Sequence, residues 1–272
     1  MKDEFYIGYM PKAPKSIGQM VVFAVVAIGI LISILAFVVG NGQEKVQSNA
    51  FEFGKITELT GVLYEKPVPN LVLHVGTDIT GKKLYQSVLL VGFGKFGASK
   101  MVKHFQSKTK QPLEQSLITI KGTLIYSDGK TILELTEEEA SFVKVEPLAE
   151  GQTPVFVDEL MKEEITVTGE IIDAKCYFGV MNPGYGKPHM SCAIRCISGG
   201  IPPVLWTKMD DGSTDYYIVL GKDGEMINQQ LLPYVADIAC VKGKVSNYLD
   251  WKIIYTDIES DGEQAILPAG CM

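Results

Sequence analysis

Four side chains that can bind a metal ion or take part in thiol chemistry lie close together in the second half of this chain. They are Cys176, His189, Cys192 and Cys196. The last three are spaced by three and four residues, so a helix over about 189–197 would place them on one face. Three thiolates and one imidazole suit Zn²⁺, and thiolate-rich sites also bind copper. The stretch therefore predicts a site for Zn or Cu.

Other residues of the same stretch bear on this chemistry. Met181 and Met190 supply thioethers, which favour Cu⁺. Lys187 and Arg195 are basic, and we expect them near the site, where Arg195 would shift a neighbouring cysteine toward its thiolate. The Cys-x-x-Cys-His pattern of c-type haem attachment does not occur, so covalent haem is not predicted.

Two other interpretations of these cysteines stay open. In an oxidising compartment, Cys176 would form a disulfide with Cys192 or Cys196 and stabilise the loop by about 3 kcal/mol. A bond between Cys192 and Cys196, within one helical turn, would be strained and reducible. We expect a binding or accessory protein without enzymatic turnover, which handles a metal or supports a membrane redox complex. A disulfide-stapled interaction module and a thiol oxidoreductase are the alternatives.

A long apolar segment near the start of the chain predicts a membrane anchor. From Met20 to Val39 the sequence carries no charged side chain, and twenty helical residues span about 30 Å. The expected organisation is a cytoplasmic tail at 1–17 and a transmembrane helix at 18–40. The run is longer than the apolar core of a signal peptide, and more lysines precede it than follow it closely, which favours an uncleaved helix with its N-terminus inside.

The rest of the chain is then expected outside the cytoplasm, on the periplasmic side. A composition of 46% hydrophobic and 21% charged residues is typical of a folded protein. The formal net charge of −7 provides no positive field for phosphates, which argues against nucleic acid as a partner. The predicted partners are the membrane and other membrane or periplasmic proteins.

Behind a linker at 41–54, two segments repeat one order of elements. Residues 55–148 and 160–260 each show three strands, a helix and two strands, with β-branched and aromatic runs bounded by Pro, Gly and Asn. This is the order of the OB-fold, a small five-stranded barrel. The prediction is a mainly β protein with two tandem OB-like barrels behind one transmembrane helix, followed by a C-terminal tail at 261–272.

Glycines at corresponding places support the repeat. Gly61 corresponds to Gly169, and Gly122 corresponds to Gly243. The second copy is longer between its two glycines, and the surplus falls at 174–200, between its first and second strands. The loop between these strands commonly builds the binding site of an OB-fold, so the cysteine-rich stretch lies where a site is expected.

One motif predicts less than it first suggests. Gly92, Gly94 and Gly97 match the G-x-G-x-x-G pattern of dinucleotide-binding proteins, between a strand and a helix. The following strand does not end in the acidic residue that would bind a ribose, and no alternating strand and helix units follow. A tight corner of a barrel explains these glycines, and no nucleotide is predicted.

The remaining histidines and cysteines are not expected to bind the metal. His74 and His104 each stand alone, on a strand and a helix, and are expected at the surface or with a hydrogen-bond partner. Cys240 occupies an apolar strand position and should be buried as a small hydrophobic side chain. Cys271 is either a free thiol or a disulfide partner.

The stretch GEIIDAKCYFGVMNPGYGKPHMSCAIRCISGGIPPVL, at 169–205, resembles a family of bacterial extracytoplasmic domains. The family's pattern has a first strand, a cysteine, a histidine three residues before the first cysteine of Cys-Ala-x-x-Cys, a glycine turn and a closing OB-like barrel. In this chain the pattern falls on Cys176, His189, Cys192, Ala193, Cys196 and Gly199. The resemblance covers 163–260 and implies an OB-like domain outside the cytoplasm, without implying a particular chemistry.

Overall fold

The computed structural model describes residues 14–43, 49–149, 153–156, 159–209, 211–257, 259–260, 263–264 and 266–268. The chain forms two compact units, residues 1–47 and residues 48–272. The described part of the first unit is a helix, and the second unit contains the described strands and the remaining helices. The helices are α1 (Lys15–Gln43), α2 (Ser99–Lys108), α3 (Met190–Ser198) and α4 (Asn228–Leu231).

Helix α1 is long and apolar enough to cross a membrane. Its apolar stretch, Lys15–Gly40, contains 26 residues, and its large hydrophobic side chains are exposed in the structure. At ~1.5 Å per residue this stretch measures about 39 Å, more than the ~30 Å of a hydrocarbon core. One such N-terminal helix is compatible with a single-pass membrane anchor. The predicted segment 18–40 lies within it, and residues 1–13 of the predicted tail lie outside the described residues.

Five strands close the first barrel, which we call barrel one. They are β2 (Thr57–Tyr64), β3 (Asn70–Thr77), β4 (Lys83–Gly92), β5 (Ser116–Ser127) and β6 (Lys130–Leu135). The pairing runs β2, β3, β4, β6, β5 and back to β2, and only β4 and β6 are parallel. Buried and less buried residues nearly alternate along β5, because successive side chains of a strand point to opposite faces. Helix α2 follows β4, as in an OB-fold.

Barrel two repeats this architecture. Its strands are β8 (Glu159–Asp173), β9 (Pro203–Lys208), β10 (Thr214–Gly221), β11 (Ile238–Tyr248) and β12 (Trp251–Thr256). The pairing runs β8, β9, β10, β12, β11 and back to β8, with β10 and β12 parallel. The predicted fold class, a mainly β protein with two five-stranded OB-like barrels and an N-terminal apolar helix, is confirmed.

The repeated glycines hold equivalent places because no side chain fits there. A Cβ added at Gly61 would lie 2.4 Å from the carbonyl oxygen of Val72, and one added at Gly169 would lie 2.3 Å from that of Trp206. The second pair, on β5 and β11, faces carbonyl oxygens of its own barrel at 2.2 and 2.3 Å. Backbone of the neighbouring strand therefore approaches each glycine at the same point of both barrels.

Short strands accompany the two barrels, and some of them lie outside the predicted domain limits. They are β1 (Ala50–Phe51), β7 (Phe142–Pro147), β13 (Glu259–Ser260), β14 (Glu263–Gln264) and β15 (Ile266–Pro268). β1 and β7 pair with β5, β15 pairs with β11, and β13 pairs with β14. The end of the predicted linker 41–54 thus belongs to the sheet of barrel one, and part of the predicted tail 261–272 belongs to the sheet of barrel two.

The two barrels bury side chains against each other in one apolar cluster. Barrel one contributes Val68, Leu89, Val91, Ile125 and Ile132, and barrel two contributes residues that include Phe178, Ile218, Trp251 and Ile253. Polar bonds also cross the joint, since the backbone N–H of Ser87 donates to Asp250 at 2.8 Å and the hydroxyl of Tyr216 donates to Asp128 at 2.8 Å. A site at this joint can therefore draw residues from both barrels.

Candidate metal site

The three cysteines of the inserted stretch reach one place from two elements. Strand β8 ends at Asp173, and a single π-helical turn, Cys176–Val180, follows it. Cys192 and Cys196 lie one turn apart on α3 and therefore on the same face. The stretch considered as a helix over about 189–197 is helical from Met190 to Ser198, and Cys176 opens the π-helical turn.

The three sulfur atoms form a compact triangle. The Sγ of Cys176 lies 3.9 Å from that of Cys192 and 3.9 Å from that of Cys196. All three sulfurs lie within 4.8 Å of one another, and the cysteines are free thiols. A disulfide bond measures about 2.05 Å, so neither disulfide considered from the sequence for Cys176 is formed in this structure. Cys176 and Cys196 are buried, and Cys192 is partly exposed.

His189 lies beside the triangle but does not join it. It groups with Asp173 and Cys176, whose ligand atoms lie within 4.8 Å of one another, and not with all three sulfurs. Its Nε2 is 3.0 Å from Oδ2 of Asp173, and both side chains are buried. Oδ1 of the same carboxylate accepts the backbone N–H of Cys176 at 2.8 Å. Asp173 thus holds both the histidine and the first cysteine in place.

The C-terminal end of α3 is held by its own backbone and by a side chain of α4. The N–H of Gly200 bonds to Ile197 at 2.9 Å and that of Ile201 bonds to Cys196 at 3.1 Å, a Schellman pattern with Gly200 at a φ of +100°. The side-chain amide of Asn228 donates to the carbonyls of Ile197 and Ile201 at 2.7 and 2.9 Å. These bonds fix the helix that carries two of the three thiols.

A lysine from barrel one completes the surroundings of the partly exposed thiol. The Nζ of Lys95 lies 2.8 Å from the Sγ of Cys192. The Gly92–Gly97 segment that carries Lys95 packs against the glycine turn after α3, where the N–H of Gly97 donates to Gly199 at 3.1 Å. A Cβ on Gly199 would lie 1.9 Å from the carbonyl oxygen of Lys95. The G-x-G-x-x-G motif is therefore a close contact between the barrels.

A buried ion pair holds the same segment from the other side. Lys175, next to Cys176, pairs with Glu134 of barrel one, and the two side chains are only 4% and 5% exposed. The ammonium also donates to the carbonyls of Gly92 and Gly94 at 3.1 and 2.6 Å. Each barrel thus anchors the other directly beside the cysteines.

The pKa values of Cys176 and Cys196 shift in opposite directions. The hydrogen bond with Cys196 raises the pKa of Cys176 above its ordinary value, and burial and the Asp173 carboxylate act in the same direction. The same bond lowers the pKa of Cys196, with a contribution from the Lys95 charge. The hydrogen bond with Cys192 raises the pKa of Lys95. Cys176 is therefore the weaker acid of the two.

The other predicted neighbours of the site lie elsewhere. Lys187 is exposed and pairs with Asp237 at 2.5 Å. Arg195 is exposed on α3, and the cation that contacts a cysteine is Lys95. Among the thioethers, Met181 is 42% exposed, and Met190 packs against the core of barrel two.

The remaining histidines agree with their expectations, and Cys240 agrees in part. His74 is exposed, and His104 is exposed and lies 2.8 Å from Glu139. Cys240 is buried on β11, at 2% exposure, as expected, but it is disulfide-bonded and not a free thiol. Cys271 lies outside the described residues.

Sequence reasoning missed Lys95, Asp173 and Lys175. A weak signal existed for Asp173, since Asp-Ala-Lys-Cys places a carboxylate three residues before the first cysteine, at the end of a strand. No local signal existed for Lys95, which lies in a motif that the sequence assigns to a barrel corner.

No protein-family model matches this chain, and no curated protein matches it. Among solved structures, the chain is similar to a deletion mutant of the single-stranded DNA-binding protein from Thermus aquaticus. The identity is 14%, the match covers 74% of this chain and 90% of that chain, and the TM-score is 0.18. A TM-score this low adds nothing to the fold, which follows from the strand pairing.

Proposed function

We propose that Cys176, Cys192 and Cys196 bind one thiophilic metal ion, Zn²⁺ or Cu⁺, and that the chain is a membrane-anchored binding or accessory protein. In this proposal the barrels lie outside the cytoplasm and either deliver the ion or support a membrane redox complex. The proposal assigns no enzymatic turnover to the chain itself.

The spacing of the three sulfurs carries this proposal. An ion in the plane of the three sulfurs, which lie 3.9 Å apart on two sides and within 4.8 Å on the third, is about 2.3 to 2.5 Å from each of them. This distance matches the ~2.3 Å of a Zn–S bond. The thiols therefore need little movement to become ligands, whereas a disulfide requires two of them to approach by almost 2 Å.

The surroundings of the thiols agree with an all-sulfur site. Soft thiolates select Zn and Cu⁺ over hard ions such as Mg²⁺ and Ca²⁺, which prefer oxygen ligands. Two of the three cysteines are buried, and the third, Cys192, is partly exposed and hydrogen-bonds Lys95, so solvent reaches the group at Cys192. Asp173 bonds both the Cys176 backbone and His189, an outer-shell role that orients ligands.

The location is argued from α1 and from the charges that flank it. One exposed apolar helix precedes the barrels, and more lysines lie before it than soon after it, which favours barrels outside the cytoplasm. A site on a folded domain tethered to a membrane suits exchange with other membrane or periplasmic proteins.

Metal analysis of the full chain tests the proposal. The protein is purified in detergent without chelator or reductant, and native mass spectrometry and elemental analysis give its bound metal. We expect one ion per chain in the wild type and its loss in a Cys192→Ser, Cys196→Ser double variant. Ser198→Ala, an exposed change on the same helix, should keep the ion. Full retention of the ion by the double variant would overturn the coordination.

A disulfide function is the second candidate, because Cys176 has two thiol neighbours at equal distance. In that case the same spectra show no ion and a mass lower by one pair of hydrogens within 176–196. The reduction potential then separates the two disulfide roles, since a value below about −300 mV marks a structural bond and a higher value marks an oxidoreductase.

A further inference from the structure

We infer that the ion held by the three cysteines is Cu⁺ and that Lys95 of barrel one determines this choice by occupying the side of Cys192 without offering a ligand. The inference rests on the proposed function, because it concerns the same three sulfurs. It goes beyond that function by naming the ion and by giving barrel one a part in selecting it.

The number of donors is the first argument. Among the residues that the structure describes, no fourth His, Cys, Asp or Glu ligand atom lies within 4.8 Å of all three sulfurs. His189 lies within 4.8 Å of Cys176 but does not group with all three sulfurs, and its Nε2 is bonded to Asp173, 3.0 Å away. Protein zinc sites are almost always four-coordinate, so Zn²⁺ would need a further donor here. Cu⁺ is soft and forms stable complexes with three thiolates alone.

The chemistry of Lys95 is the second argument. An ammonium has three donor hydrogens and no lone pair, so it hydrogen-bonds a thiolate but cannot bind a metal. Its Nζ lies 2.8 Å from Cys192, the one partly exposed cysteine of the three. A ligand from solvent or from another side chain would approach at this exposed cysteine. Lys95 lies on that side of Cys192, offers no lone pair to a metal there, and balances part of the thiolate charge.

Close contacts with barrel two fix the backbone around Lys95 beside Cys192. Glycine contacts with Gly97 and Gly199 bring its segment against α3, and a Cβ on Gly199 would lie 1.9 Å from its carbonyl oxygen. Lys175 bonds the carbonyls of Gly92 and Gly94 on the same segment. Barrel two thus positions the segment that covers its own thiols.

Replacing Lys95 by a residue that can bind the metal should reverse the preference for Cu⁺ over Zn²⁺. In a Lys95→His variant, the imidazole supplies the fourth donor beside Cys192 and completes a three-sulfur, one-nitrogen set that suits Zn²⁺. In Lys95→Ala, the hydrogen bond to the sulfur is lost without a new ligand. Loss of such an outer-shell partner typically weakens metal binding by about 10-fold to 100-fold.

The experiment is a competition between the two ions on the full chain in detergent, without oxygen. Cu⁺ is offered from a bicinchoninate complex and Zn²⁺ from a pyridylazo-resorcinol complex, and each transfer is followed by the colour of the chelator. X-ray absorption of the copper-loaded protein counts its sulfur and nitrogen neighbours. Lys100→His, an exposed lysine on α2, is the matched control.

We expect the wild type to take one Cu⁺ with three sulfur neighbours and no nitrogen, and to release none of it to an excess of Zn²⁺. Lys95→Ala should bind Cu⁺ about 10-fold more weakly, Lys95→His should gain at least about 10-fold in Zn²⁺ affinity, and Lys100→His should equal the wild type. Tighter binding of Zn²⁺ than of Cu⁺ by the wild type, a nitrogen neighbour, or unchanged binding in both Lys95 variants would overturn the inference alone. Binding of neither ion would instead refute the proposed function.

Discussion

In barrel one a connection of five residues, 65–69, joins the first two strands, whereas in barrel two the corresponding connection runs over 174–202. The five strands, their order and their close glycine contacts are otherwise the same in the two barrels. The five strands, which we call the frame of each barrel, are kept when the length of one loop changes. The inserted loop of barrel two carries the cysteines.

A single position shows how barrel two adapts to its insertion. After Gly61, barrel one has Val62, a buried apolar residue, and after Gly169, barrel two has Glu170, which is also buried. The Glu170 carboxylate accepts the backbone N–H of Gly186 at 2.5 Å, within the inserted loop. A core position of the frame has therefore become an anchor for the loop before His189.

Barrel one also contributes residues to the surroundings of the cysteines, although its own loop between the first two strands is short. Its Gly92–Gly97 segment and Glu134 contact the inserted loop of barrel two and bring Lys95 to Cys192. The repeat has thus become asymmetric, with thiols from one copy and a cation from the other. Four experiments test or refine this comparison.

The largest effect is expected at the buried ion pair between the barrels. Lys175→Met leaves the Glu134 carboxylate buried without its partner, which should lower the free energy of unfolding by about 3 to 5 kcal/mol. Lys108→Met breaks an exposed pair with Glu139 and should cost less than about 1 kcal/mol. Denaturant unfolding of the chain in detergent measures both.

A further variant keeps this prediction specific. Replacing Lys175 by Met and Glu134 by Leu together removes both charges and should recover most of the loss. If Lys175→Met is no more destabilising than Lys108→Met, the contact between the barrels is not the anchor described above.

Matched glycine substitutions test the equivalence of the two frames. Gly61→Ala and Gly169→Ala each place a Cβ within 2.4 Å of a backbone oxygen, so each should cost about 1 to 3 kcal/mol. Glu58→Ala and Thr166→Ala, exposed on the same two strands, serve as controls. Thermal unfolding measures the loss of stability in each variant. Clearly unequal losses for Gly61→Ala and Gly169→Ala would contradict the equivalence of the two barrels.

A smaller effect is expected at Asn228, whose side-chain amide bonds the C-terminal end of α3. Asn228→Ala removes two hydrogen bonds to buried backbone carbonyls and should cost about 1 to 2 kcal/mol, with faster amide hydrogen exchange at the end of α3. Gln229→Ala removes one longer bond, of 3.3 Å, at the surface and should leave the exchange unchanged. Equal exchange in the two variants would show that the end of α3 is not stabilised by Asn228.

The smallest effect is a dependence on pH at Glu170. Burial raises the pKa of this carboxyl, so the folded chain holds its proton more tightly than the unfolded chain does. Its contribution to stability is present below the unfolded pKa of ~4.3 and is lost as the pH rises through the folded pKa. Glu170→Gln keeps an acceptor for Gly186 and removes this dependence.

The measurement is thermal unfolding at several pH values between about 4 and about 7. The stability of the wild type relative to Glu170→Gln should fall as the pH rises over this range, while the exposed Glu163→Gln variant should follow the wild type. A difference that grows in the opposite direction would mean that the carboxylate is stabilised, not penalised, by its surroundings.

Much of the architecture was predictable because it is encoded locally. Alternating β-branched residues with turn residues between them predicted strands and their order, an uncharged apolar run of twenty residues predicted α1, and cysteines four residues apart predicted one face of α3. These features depend on residues that are near one another in the sequence, so their periodicity is visible there.

Only the tertiary structure decided which residues meet. Lys95 is 97 residues from Cys192, and Glu134 is 41 residues from Lys175. No periodicity links such pairs, because their contact depends on how two closed barrels pack on a shared apolar cluster. The same packing turned a nucleotide-like glycine motif into a contact between the barrels, and within barrel two Asp173 bonds His189 beside the three sulfurs. The sequence by itself thus determined the two frames and the cysteine-bearing helix, and the burial of one barrel against the other decided the composition of the site.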